Sequence, residues 1–173
     1  MSVVSKVSRK RKEHEVYMDS YRTENHMEQK ILLAELFLEL KHKMLEIINF
    51  IPDPTFLINR KGKVIAWNQA MEELTNIKAK EILGKASYEV PLPFFKEEQH
   101  LLANLALSSR KISKPHYNSL KKEGDTLTAE IKLIKSNPHR RYLLLKAKPL
   151  YNLQGEIVGA IESIRISSIP GEI

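Results

Sequence analysis

The chain has 173 residues, 42% of them hydrophobic, enough for one domain with a sizeable core plus an arm. It contains no cysteine, which excludes disulfides, thiolate zinc sites, iron–sulfur clusters and cysteine nucleophiles and matches a reducing cytosol. A net charge of +7 suits nucleic acid, an anionic membrane surface or an acidic protein.

The excess is scattered over Lys6 and Arg9, Lys10, Arg11 and Lys12, then over Arg110, Lys111, Lys114, Lys121, Lys122, Arg140 and Arg141. A solvated basic surface is therefore the simpler reading, with nucleic-acid binding through Arg9 to Lys12 as its rival. The first residues, MSVVSKVSRKRK, lack the apolar stretch of a secretory signal. No apolar run approaches the ~20 residues that span a bilayer, so a cytoplasmic protein without a membrane span is expected.

Residues 1–27 are polar and mixed in charge, and read as a basic, flexible arm. From about Glu28 the chain becomes strongly helical, with no Gly or Pro before Pro52. Leu33, Phe37, Leu40, Met44, Ile47 and Ile51 recur at spacings of 4, 3, 4, 3 and 4, the seam of a coiled coil. Ile31, Leu32, Leu36, Leu38, Leu45 and Ile48 widen the apolar surface. A helix of residues 28–51 this apolar must pack on its own sheet, on a second copy of itself, or on both.

Pro52-Asp53-Pro54 stops that helix and turns Asp53 towards extended backbone. Thr55-Phe56-Leu57-Ile58 reads as a strand, Asn59-Arg60-Lys61-Gly62 as a turn, and Val64-Ile65-Ala66-Trp67 as the returning strand. Asn68 is placed to cap a short helix whose apolar face is Ala70, Met71 and Leu74, closed by Asn76 in the left-handed conformation. Residues 79–83 form a helical turn ended by Gly84, and Pro91-Leu92-Pro93 is a rigid link. Glu97 to Ser109 read as a longer amphipathic helix. Residues 110–125 are basic and turn-rich.

The last third is sheet. Leu127, Ala129, Ile131 and Leu133 alternate with polar residues along a half-buried strand. Leu143, Leu145 and Ala147 do the same along the next. After the Asn152-to-Gly155 turn, Glu156 to Ile166 is apolar on both faces, as a central covered strand would be.

The order helix, Pro break, hairpin, Asn cap and short helix resembles the opening of a PAS sensor domain. Trp67-Asn68-Gln69-Ala70-Met71-Glu72-Glu73-Leu74-Thr75 carries most of the likeness; Asn76 stands where most members have Gly. The stretches from Gly124 to Glu130, Pro149 to Asn152 and Gly155 to Arg165 look like PAS domains of archaeal, methanogen-type sensor histidine kinases. The resemblance covers residues 50–167. It implies an α+β PAS fold: a five-stranded antiparallel sheet, flanking short helices and a long amino-terminal helix. It places the domain at residues 52–168, with a tail at 169–173. It also implies a dimeric sensory module of a two-component type, regulating a partner such as a histidine kinase. One departure stands out: where signalling members end this strand with Asp-Ile-Thr, this chain has Arg165 followed by Ile166-Ser167-Ser168. The usual carboxyl-terminal signalling helix is not seen, so output is expected through the amino-terminal helix or a surface. A split or remnant input module of a kinase is the alternative.

No catalytic motif is present. There is no phosphate-cradling GxxxxGK[ST] or GxGxxG, and His14-Glu15 lacks the second zincin ligand because position 18 is Met18. His42 lies in no recognisable phosphoacceptor box. Glu72-Glu73 and Glu97-Glu98 are adjacent on helices and diverge. An enzyme and a metal site are not expected. PAS domains hold haem, flavin or metabolites between helices and sheet, and many members hold nothing. The resemblance places His100 where haem-binding members carry their axial ligand. Trp67 could stack on a flavin, although a Trp ending a strand is more often packing. Tyr88, Phe94, Phe95, Asn104, Leu145 and Ser163 complete the expected lining. The lack of cysteine excludes the flavin–cysteine adduct and cysteine-attached chromophores.

Overall fold

In the computed structural model the described residues are 3–89, 101–107, 117–132 and 142–167; the side chains of residues 3–11, 13 and 88 lie outside the description. The chain divides into two compact units, Met1–Met44 and Leu45–Ile173.

Helix α1 runs from Val3 to Phe50. It therefore begins far upstream of Glu28, and the segment expected as an arm is helical from Val3 onward. The reason is composition: Glu, Lys, Arg and Met are good helix formers, and no Gly or Pro interrupts them. Within the first unit, Lys43 and Glu39 form an exposed i,i+4 ion pair of 2.7 Å. The seam residues Leu33, Phe37, Leu40 and Met44 are between 47% and 68% exposed in the single chain.

The second unit contains a six-stranded antiparallel sheet in the order β2-β1-β6-β5-β4-β3. Its strands are β1 (Thr55–Asn59), β2 (Val64–Trp67), β3 (Ser119–Glu123), β4 (Thr126–Lys132), β5 (Tyr142–Tyr151) and β6 (Ile157–Ser167). Gly62, at φ 71°, makes the β1–β2 turn, closed by a Gly62 N–H to Asn59 O bond of 2.9 Å. The expected five strands become six because β3 pairs with β4 from Ser119↔Glu130 to Glu123↔Thr126. Its sequence, Ser-Leu-Lys-Lys-Glu, has no apolar alternation, since it is an edge strand with Lys121, Lys122 and Glu123 exposed. At the opposite edge, β2 is covered: Gly84 N–H donates to Val64 O at 2.8 Å, and Val64 N–H to Lys85 O at 2.9 Å.

Strand β6 lies between β1 and β5, as its two apolar faces predict. Gly159 permits the close approach to β1, because a Cβ there would meet the Ile58 carbonyl oxygen at 2.4 Å. Alternation along β6 sends Ala160 and Ile164 to the larger core, with Phe56, Ile58, Met71, Leu102, Leu143 and Leu145. Ile161 goes to the other face, where Ile48, Leu57 and Ala66 are buried and Leu45 and Leu150 pack beside them. Thus the last turn of α1 covers part of that face. The short helices α2 (Gln69–Thr75), α3 (Ala79–Ile82) and α4 (Leu102–Ala106), with a 3-10 turn at Ser87–Glu89, complete the described fold. No described helix is long and apolar enough to cross a membrane.

Candidate functional site

Two buried polar residues organise the domain. The first is Asn68, fully buried between β2 and α2. Its Oδ1 accepts from the Met71 N–H, capping α2 as its residue type predicts, and also from the Thr55 N–H, both at 2.9 Å. Its Nδ2 donates to the carbonyls of Ile51 and Asp53 at 3.0 Å each and of Ile48 at 3.4 Å. One side chain therefore ties the end of α1, the Pro-bounded link, the start of β1 and the start of α2. Beside it, the Gln69 N–H donates to Asn49 Oδ1 at 3.1 Å. Asn76 adopts φ 59° and closes α2, also as expected.

The second is Glu162, in the middle of β6 and fully buried on the face of the larger core. Its backbone neighbours are Phe56 on β1 and Ala147 on β5. Oε2 accepts from the Ala103 N–H at 2.7 Å. This bond crosses 59 residues of sequence and caps α4, whose own cap residue Leu101 offers no side-chain bond. Oε1 has no hydrogen-bond partner among the described residues. Burial pushes the carboxyl up to about 8, against the pull of the Ala103 and Leu102 N–H groups towards the ionised form. Tyr117 packs against the same core; burial, and secondarily the charge of Glu162, pushes its phenol upward.

The sequence-expected lining divides around this residue. Leu145 is fully buried in the larger core. Asn104 is half-buried on α4 and accepts from Ser87 Oγ through Oδ1 at 2.8 Å. Trp67 is 5% exposed, its Nε1 donates to Ile77 O at 3.1 Å, and its ring meets Phe56 at 5.7 Å between centroids. Its donor and ring are thus engaged within the core, the packing alternative to flavin stacking. Ser163 pairs with Thr55 and Lys146 and lies on the sheet face opposite Glu162. A one-residue phase shift separates the two, because period 2 gives no phase to a strand that is apolar on both sides. The signal was nonetheless there: Glu162 is the one charged residue from Ile157 to Ile164. Tyr88 lies in the 3-10 turn with its side chain outside the described residues, as are Phe94, Phe95 and His100 entirely. Among the described residues no cluster of His, Cys, Asp or Glu could hold a metal ion.

At the carboxyl end of β6, Arg165 Nη2 meets Asp53 Oδ2 at 2.7 Å, and the Ile164 N–H donates to Pro54 O at 2.8 Å. The acid of this pair comes from the link after α1, so the contact joins the two ends of the domain.

A sequence model of the PAS fold matches residues 42–165. The chain belongs to the PAS family, whose members are sensory and signal-transduction modules, in general without catalysis of their own. Among solved structures it is similar to the PAS domain of Bordetella pertussis BvgS, at 15% identity and a TM-score of 0.45, covering 77% of this chain and 88% of that one. A PAS domain from Colwellia psychrerythraea gives 17% identity, a TM-score of 0.47, and coverage of 76% and 98%. The PAS domain of the histidine kinase ThkA gives 17%, 0.45, and coverage of 66% and 99%. No curated protein matches the chain in sequence.

Proposed function

We propose that this chain is a dimeric sensory module in which α1 is both the dimerisation element and the output. The PAS core senses a small ligand, and a separate signalling protein such as a histidine kinase reads the packing of α1. The observation that carries this reading is the exposed heptad seam of α1, continued from Leu33 to Ile47, with Ile47 itself 66% exposed. An apolar stripe at coiled-coil spacing is complementary to a second copy of itself. The Asn68 network supplies the link from core to seam, since it holds the Ile48 carbonyl of α1 and the Ile51 carbonyl just after it against β1 and α2. Ligand or partner would shift the population between two packings of α1.

Sedimentation of the full chain tests the dimer. The wild type is expected to sediment as a dimer, and Leu40→Glu with Met44→Glu as a folded monomer, because two charges would be buried in the seam. A wild-type monomer at high micromolar concentration, or an unchanged dimer in the double variant, would overturn the assignment.

A further inference from the structure

Glu162 is not explained by its role as a helix cap. Capping α4 uses one oxygen, and a Gln, Asn or Ser would do it without burying an ionisable group. The other oxygen, Oε1, is fully enclosed and has no partner among the described residues. Ionised, the carboxylate is favoured by the Ala103 and Leu102 N–H groups, yet Oε1 has no donor within hydrogen-bond distance among the described residues; neutral, a proton on Oε1 has no acceptor there. Either state leaves a buried polar group unsatisfied, which native structures rarely tolerate without a bound partner or a functional reason. The surroundings are apolar: Phe56 and Ala147 flank Glu162 on the neighbouring strands, and Ala103 and Leu102 lie at the start of α4. It also occupies the sheet face turned towards the helices, where a PAS domain would receive a ligand.

We propose that Glu162 is the recognition group for a small organic cation, a primary amine whose ammonium donates to Oε1 while its apolar body packs among Phe56, Ala147 and Leu102. This deepens the sensory reading above and rests on it. A cation suits the site better than a neutral amide because an ammonium at Oε1 supplies both the missing donor and the charge that an ionised, buried Glu162 lacks. A second, charged donor completes that carboxylate in a medium where ion pairs are strong. Without ligand the acid stays largely neutral below about pH 8. Amine binding then releases a proton from Glu162 and weakens roughly tenfold for each pH unit below that value. Tyr117 is the titratable neighbour among the described residues, and its raised phenol stays neutral throughout this range.

The test is calorimetric titration of the full chain with benzylamine and n-butylamine at pH 8.5 and 6.5, with benzyl alcohol as the neutral analogue. Saturable amine binding is expected at pH 8.5, at least tenfold weaker at pH 6.5, with benzyl alcohol failing to saturate. Glu162→Gln should lose the amine by tenfold or more while its amide oxygen still accepts the Ala103 N–H. Thermal melts monitor the variant's folding. In the wild type the native acid is held above the value of 4.5 that it has when unfolded, so between pH 4.5 and 8 the native state binds more protons and stability falls as pH rises. Glu162→Gln should lose this component of the slope. No saturable amine binding at pH 8.5, equal binding of alcohol and amine, or undiminished binding by a folded Glu162→Gln would each overturn the proposal. Should the variant fail to fold, the wild-type comparison of amine with alcohol across pH decides alone. Sedimentation of the same samples separates this from the parent reading: a dimer that ignores amines leaves the dimer intact and removes the ligand class.

Discussion

The last turn of α1 and the heptads before it are built from the same kinds of residue and meet opposite surroundings. Ile48 is 6% exposed, buried against Leu57 and Ala66, while Ile47, its neighbour in sequence, is 66% exposed. Leu45 packs beside the same cluster, whereas Leu33, Phe37 and Leu40 lie open. The first set finds its complement inside the chain. The second lies open at heptad spacing, and in the proposed dimer it would face a second copy. One helix thus carries a buried set and, a turn away, an exposed one, and Asn68 sits at the border.

That contrast can be broken at the border first. Asn68→Ala removes five hydrogen bonds at once and leaves backbone groups buried, at about 1–3 kcal/mol for each one left unsatisfied. We expect several kcal/mol of lost domain stability in urea unfolding, with the α1 seam still able to associate. A loss below 1 kcal/mol would mean that the network is replaced by water and is no junction.

A sharper comparison sets Ile48→Ala beside Leu40→Ala. The first should destabilise by about 2–4 kcal/mol at any protein concentration, because its cavity lies inside one chain. The second should matter only through the dimer, so its effect on the melting temperature should shrink as the protein is diluted towards monomer. Equal, concentration-independent losses would collapse the distinction. The smallest effect belongs to Arg165→Ala. Its ion pair with Asp53 is largely exposed, the Arg side chain at 69%, so no resolvable change in the urea midpoint is expected, least of all in high salt. A resolvable change would make the pair a genuine clamp between the two ends of the domain.

Much of the fold was legible because its signals are local. Pro52 and Pro54 mark the helix stop, Gly62 the hairpin, Asn68 the cap and Asn76 the left-handed close, and each acts within a few residues of itself. What was not legible depends on pairing across distance. Strand β3 has no pattern of its own and exists because β4 offers it an edge. The inward phase of β6 follows from Phe56↔Glu162 and Thr55↔Ser163, which a period of two alone does not set. The unpaired Oε1 and the five bonds of Asn68 likewise depend on residues brought together by the fold. The early part of α1 failed for the opposite reason: helix propensity was present, but the lack of an apolar face hid it.

The central place of β6 also bears on how the domain is made. Asp53 and Arg165, which meet across the β1–β6 seam, are 112 residues apart. At the ~5–20 residues per second of translation, β1 would emerge roughly six to twenty seconds before the strand that completes it. During that interval Phe56, Leu57 and Ile58 would have only β2 beside them in the sheet, and an isolated hairpin is marginal in water. Assembly should therefore be late and slow for a domain of this size, with the hairpin held exposed until β6 arrives. Chaperone demand in the cell should track changes in β6 more closely than changes in the exposed helix seam.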